Sequence, residues 1–214
     1  PICGHRLAEL FHEAGFPKGV INVLHGFGEE VGDPMVRHKD VAAVLFTGSR
    51  QFGKLIQQIC AQDMYKFAAT EMGGKNAVVV LEDADLDLAV NAGILSAFKT
   101  SGQRCVAAGR IIVDKKILPE YAERYAEMAK RIKVGNGLRP DVFMGPLINQ
   151  DGVKKWQHHR EKAIEEGGQV LVDGQVLTEG EHANGNFVSP FVYKFDSYKP
   201  NTFCLREEAF SPHV

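Results

Sequence analysis

Apolar positions along this 214-residue chain alternate between two spacings. In "RLAELFHEAG" they recur as on one face of a helix (Leu7, Leu10, Phe11, Ala14) and stop at Gly15. "VINVLHG" is a short continuous apolar run and reads as a strand. Across "EEVGDPMVRH" a polar helix is expected to be interrupted at Pro34. "VAAVLFTGS" predicts a buried strand, "RQFGKLIQQICAQD" a helix with Phe52, Leu55, Ile56 and Ile59 along one side, and "YKFAATEMGG" and "NAVVVLED" further strands.

The second half continues the pattern. "DADLDLAVNAGILSAFKTSG" predicts a helix capped by Asp85, its apolar face made by Leu86, Ala89, Val90, Gly93, Ile94, Ala97 and Phe98. "RIIVDK" predicts a strand, and "LPEYAERYAEMAKRI" a helix with Pro119 in its first turn. A helix over 151–167 turns Val153, Trp156, Ala163 and Ile164 inward and places His158 and His159 on a solvated face. Strands "GQVLVDG" and "GNFVSPFVYKF" follow. Continuous apolar strands interleaved with helices predict an α/β protein whose parallel sheet is covered on both faces. No internal repeat or low-complexity linker interrupts it.

Composition narrows the partners. Hydrophobic residues make up 44% of the chain, the net charge is −2, and no basic block occurs, which argues against nucleic acid or an anionic membrane. The longest apolar runs ("AVVVL", "VAAVLF") are strand-sized, and no signal peptide is visible at the start. Cys3, Cys60, Cys105 and Cys204 lack the close pairing of a zinc site or disulfide framework, so no metal site is expected and a reducing, cytoplasmic setting fits. A chain opening on proline and ending "EEAFSPHV", where a strand pattern begins, is expected to be a piece of a longer protein.

Three stretches offer chemistry. "HGFGEEVG" (Gly26, Gly28, Gly32) follows an apolar run but misses the G-x-G-x-x-G spacing by one residue. In "FTGSRQFG", Gly48 and Ser49 stand between a strand and a helix N-terminus, where free N–H groups and the Ser49 hydroxyl would receive a phosphate. Either turn alone is met by the ordinary need for glycine there; two on neighbouring strands favour a nucleotide. "TEMGGKN" ends a strand with the carboxylate of Glu71, and the Gly73–Gly74 pair allows close backbone approach. In "TSGQRCVAAGR", Cys105 sits at a bend beside the cation Arg104, a setting that can form and expose a thiolate. Most lone cysteines are structural, and no histidine partner can be placed for this one.

Taken together, these segments resemble the aldehyde dehydrogenase superfamily. "AGFPKGVINVLHGFG", "FTGS", "EMGGKN", "DADLDLAV", "SGQRC", "VGNG", "GPLIN" and "EEAFSP" occur in that family's order, with 22 residues from Ser49 to Glu71 and 34 from Glu71 to Cys105. The resemblance implies a Rossmann-like parallel sheet portion of a cofactor domain over 1–73, followed by part of an α/β catalytic domain over 74–214. It implies Cys105 as nucleophile, forming a thiohemiacetal and then a thioester with an aldehyde, and Glu71 as the base that activates the hydrolytic water. NAD or NADP is the cofactor it implies. Ser49, Gly48, Gly28 and Gly32 would lie near the pyrophosphate and adenosine, Met72 and Gly73 beside the nicotinamide, and Glu208 and Phe210 on the nicotinamide ribose. A homodimer or homotetramer acting on a small-molecule aldehyde is implied for the full-length protein. The family's second oxyanion donor and its adenosine-contacting lysine are expected upstream of Pro1, and the oligomerisation arm beyond Val214, so the chain alone is expected to be inactive. Ser211 stands where the family more often has glycine, a change expected to be tolerated.

Other readings remain. A coenzyme-A-acylating relative would replace water by a thiol, but such relatives commonly lack the base that Glu71 supplies. A non-catalytic member is opposed by the presence of both Cys105 and Glu71. A cofactor-free cysteine hydrolase leaves "FTGS" and "EEAFSP" without a role.

Overall fold

Parallel strands need a crossover to carry the chain back to the starting edge, and this chain builds that unit twice. In the computed structural model, which describes residues 2–214, the chain divides after Met72 into two units.

In the first, helix α1 (Ile2–Glu13) leads by an irregular stretch to a π-helical turn (Gly28–Gly32) and helix α2 (Asp33–Arg37). Strand β1 (Ala43–Gly48), helix α3 (Arg50–Cys60) and strand β2 (Phe67–Met72) form a βαβ unit, β1 and β2 pairing in parallel from Ala43↔Phe67 to Gly48↔Met72. Helix α3 buries Gly53, Ile56 and Cys60. Phe52 and Leu55, expected to share that face, are exposed.

Three expectations fail here. Strand β1, expected to be buried, has no buried residue, and its Leu45 is 80% exposed, because among the described residues α3 is the helix that packs on this two-stranded sheet. "VINVLHG" is no strand: it has no ladder partner among the described residues, where β1 pairs with β2 alone, and apolar character does not make a strand without a neighbour to exchange hydrogen bonds. Nor does Pro34 interrupt its helix. It sits in the first turn of α2, where a missing N–H costs least, and the wider π turn before it returns the Asp33 N–H to Gly28 O.

The second unit, Gly73–Val214, repeats the motif with strand β3 (Asn76–Val80), helix α4 (Leu86–Phe98) and strand β4 (Ala108–Val113), again parallel. Asp85 caps α4 by accepting from the Leu88 N–H. Helix α5 (Leu118–Lys130) packs beside α4, and the two close a core around Val90, Ile94, Phe98, Tyr121, Tyr125 and Met144. Helix α6 (Gln150–Glu165) anchors a second cluster through Trp156, which packs with Leu147, Val188 and Phe191. The antiparallel pair β5 (Gln169–Val172) with β8 (Val192–Lys194) adds Val172 and Val192 to the first core, while the pair β6 (Val176–Leu177) with β7 (Phe187–Val188) and the short helix α7 (Phe203–Arg206) lie around the second. Expected as one strand, "GNFVSPFVYKF" splits at Ser189–Pro190, where proline cannot donate to a ladder.

Helix α6 brings two further corrections. Ile164 is exposed rather than inward, and His159 is buried at 2% exposure rather than solvated. The rings of Phe203 and His213 close over His159, its Nδ1 hydrogen-bonds Lys155 O at 2.9 Å, and desolvation pushes its pKa down to about 4.

Candidate active site

The approach to Cys105 is a strained piece of backbone. Helix α4 ends at Phe98, and Thr100, Ser101 and Gly102 then take left-handed φ of 57°, 55° and 67°. Non-glycine residues pay about 1–2 kcal/mol each for that conformation. The buried Ser101 hydroxyl offsets part of it by donating to Gly145 O at 2.8 Å. At Gly102 a side chain is barred twice, by its φ and because a Cβ would lie 2.4 Å from the backbone oxygen of Ser211.

The next residues are tied down one by one. Gln103 accepts the Ile148 N–H at 2.9 Å. Arg104 donates to Leu95 O and Ser96 O at 3.0 Å, so its hydrogen bonds cap the last carbonyls of α4. Cys105 follows, exposed, in a turn closed by Ala107 N–H to Arg104 O at 3.0 Å. Asn76, from the start of β3, donates to both Cys105 O at 2.7 Å and Ala107 O at 3.0 Å.

Glu208 and Phe210 converge on the same region. A cavity of about 20 Å³, roughly the space of one water, is lined among others by Gly74, Lys75, Gly102, Arg104, Glu208 and Phe210. The Glu208 carboxylate lies on the Gly73–Gly74 backbone: it accepts the Gly74 N–H at 3.2 Å, and a Cβ on Gly73 would lie 2.0 Å from its Oε2. The close approach expected of the paired glycines is therefore made by this carboxylate. Phe210 adopts a left-handed φ of 52° and remains partly exposed. Sequence reasoning passed over Lys75, although it adjoins the glycine pair. Its Nζ is buried without a hydrogen-bond partner, and desolvation lowers the ammonium pKa to about 8, with Arg110 adding to the effect and Glu208 opposing it.

The remaining candidates belong to the first unit. Ser49 is the N-cap of α3, its Oγ accepting the Phe52 N–H at 3.4 Å, and no acidic residue occupies the first turn. That leaves the helix N-terminus electropositive and open at the end of β1, a fit for a phosphate. Gly48 is the last residue of β1 and pairs with Met72, while Glu71, exposed on β2, pairs with Thr47. Gly28 and Gly32 bound the π-helical turn with open space around both. Each unit thus gathers its own share of the candidates: Gly28, Gly32, Gly48, Ser49, Glu71 and Met72 in the first, Gly73, Cys105, Glu208 and Phe210 in the second.

Comparison with known proteins places the chain in a family. The profile described as "Aldehyde dehydrogenase family" matches residues 1–214. The chain belongs to the aldehyde dehydrogenase family. Alpha-ketoglutaric semialdehyde dehydrogenase of Bacillus subtilis is 39% identical over 98% of this chain and 42% of its own length. Among solved structures, betaine aldehyde dehydrogenase from Staphylococcus aureus in complex with NAD+ matches with a TM-score of 0.91 at 36% identity, over 98% of this chain and 41% of that one. PnpE in complex with nicotinamide adenine dinucleotide matches with a TM-score of 0.92 at 37% identity, over 98% and 42%. The chain spans about 42% of the length of such relatives. Among the described residues, no helix is long and apolar enough to cross a membrane, and no group of three or more His, Cys, Asp or Glu could hold a metal ion.

Proposed function

We propose that this chain supplies the nucleophile, the general base and much of the cofactor site of an enzyme that oxidises an aldehyde to its carboxylic acid with NAD(P)+. The observation that carries this is Cys105, an exposed thiol on a turn fixed on both sides, in a family member that keeps Glu71 34 residues upstream.

The Cys105 thiolate attacks the aldehyde carbon to give a thiohemiacetal, and its own backbone N–H faces the charge that develops on oxygen. NAD(P)+, when bound, accepts the hydride that leaves that carbon. Cys105 then holds a thioester. Glu71 takes a proton from water, the resulting hydroxide adds to the thioester carbon, and collapse releases the acid and restores the thiolate. In this reading Ser49, Gly48, Gly28 and Gly32 receive the pyrophosphate and adenosine, Met72 and Gly73 flank the nicotinamide, and Glu208 and Phe210 position its ribose. The N-terminus of α3, free of acidic residues, and the half-buried Glu208 carboxylate on the Gly74 N–H support those assignments. Semialdehydes are the first substrates to try, because similar proteins are named for alpha-ketoglutaric semialdehyde and malonate semialdehyde. The full-length protein is proposed to act as a homodimer or homotetramer in the cytoplasm.

The test is aldehyde-dependent NAD(P)H formation by the full-length protein, with and without coenzyme A, across semialdehydes, short aliphatic aldehydes and betaine aldehyde. Cys105→Ser is expected to lose all turnover, and Glu71→Gln to release one burst of reduced cofactor and stall as the acyl-enzyme. Activity that requires coenzyme A would assign the acylating reaction instead. No reduced cofactor under any condition would sink the proposal. The 214-residue chain by itself is proposed to be inactive.

A further inference from the structure

The side chain of Asn76 does more than its place at the start of a strand requires. One amide nitrogen serves two carbonyls, Cys105 O at 2.7 Å and Ala107 O at 3.0 Å, which lie on the two sides of the Cys105–Ala107 segment. The β3–β4 ladder shifts register between Asn76 and Ala77, so the side chain sits where strand pairing gives way to the turn. Because a peptide group is planar, fixing a carbonyl oxygen fixes the whole plane that carries it. Holding Cys105 O sets the plane that follows the cysteine, and holding Ala107 O sets the plane where β4 begins. The Ala107 N–H to Arg104 O bond closes the turn between them. On the upstream side, Gln103 and Arg104 are held through Ile148 N and the carbonyls of Leu95 and Ser96. Asn76 supplies the matching restraint downstream.

We propose that Asn76 is a positioning residue for the nucleophile: its amide fixes the peptide plane that follows Cys105, and with it the direction in which the Cys105 thiol points. The inference rests on the reading of Cys105 as nucleophile given above. It goes beyond that reading by assigning the aim of the thiol to a residue from another strand. Alkylation by a small reagent needs only an exposed, ionised thiol. Turnover needs that thiol aligned with a bound carbonyl, and a displacement of about 1 Å costs on the order of 100-fold in rate. Loss of the brace should therefore separate the two measurements.

The experiment compares Asn76→Ala and Asn76→Asp in the full-length enzyme. The aspartate keeps the shape but presents oxygens, in place of a donor, to two carbonyl oxygens. It guards against an effect of lost volume alone. Both variants are expected to lower kcat by about 100-fold while KM for aldehyde and cofactor stays within about threefold. The rate of Cys105 alkylation by iodoacetamide, followed by site-resolved mass spectrometry from pH 6 to 10, is expected to match wild type. A kcat within twofold of wild type in both variants, with Cys105→Ser inactive, would overturn the positioning role and leave the nucleophile standing. Equal losses in kcat and alkylation would also overturn it, because the side chain would then govern exposure or ionisation of the thiol. An active Cys105→Ser enzyme would instead remove the reading on which the inference rests.

Discussion

Gly102 and Gly73 are both glycines of the candidate site, yet they answer to different constraints. At Gly102 the left-handed φ of 67° and the Ser211 backbone oxygen, 2.4 Å from where a Cβ would stand, leave nothing flexible to move. Gly102→Ala is expected to lower stability by about 2–3 kcal/mol and to displace the Cys105 turn, read by urea denaturation and by loss of turnover. At Gly73 the obstacle is the far end of a flexible side chain, the Glu208 carboxylate. Gly73→Ala should cost less than about 1 kcal/mol in the same denaturation, because Glu208 can swing away. It should still raise KM for the cofactor several-fold, because the carboxylate loses its seat on the Gly74 N–H. A KM unchanged from wild type would show that the seat does not matter to cofactor binding.

Helices were legible in proportion to how much of their stability is local. Helix α4 follows its apolar spacing, with Val90, Gly93, Ile94, Ala97 and Phe98 all buried, and its Asp85 cap forms as the residue type implies. Asp85→Ala is expected to cost about 1 kcal/mol, seen as a lower urea midpoint with little change in slope. What could not be read depends on partners distant in sequence. "VINVLHG" has the composition of a strand but no neighbour among the described residues, so its ladder does not exist. His159 lies on a face that spacing marks as polar and is buried only because Phe203 and His213, more than 40 residues away, close over it. Cys105 was visible as a candidate from its glycine turn, and the family order of the motifs raised it above the other thiols. Its brace was not visible, since an asparagine two residues beyond a glycine pair carries no signal that it will bond a turn 29 residues later.

Among the described residues, burial is concentrated in the second unit, which holds every fully buried aromatic side chain and, with them, a set of desolvated titratable groups. His159 and His213 meet edge to face in this interior, near Lys75, Lys155, His158 and Cys204. Burial is the leading cause in each case. It holds His159 neutral down to about pH 4, holds His213 neutral well below the ordinary imidazole range, pushes the Cys204 thiol up to about 12 and lowers Lys75 to about 8. Both histidines have folded pKa values below their unfolded ones, so at neutral pH neither state carries the proton. As pH falls through about 6.5 the unfolded chain begins to bind protons that the folded chain refuses, and stability drops until His159 titrates near 4. The loss attributable to His159 is about 3 kcal/mol. Lys75 acts at the other end: between about pH 8 and 10.5 the unfolded chain keeps a proton that the folded chain has released, so its contribution to stability rises with pH. His159→Asn keeps a donor in reach of Lys155 O and cannot titrate. Urea denaturation of this variant at about pH 7, 6, 5 and 4.5 is expected to start from a lower stability, because the smaller side chain leaves a gap beside Phe203 and His213, and then to fall less steeply than wild type. Parallel curves for the two proteins would mean that His159 takes up its proton equally in both states, and that its burial does not set the acid limit of the fold.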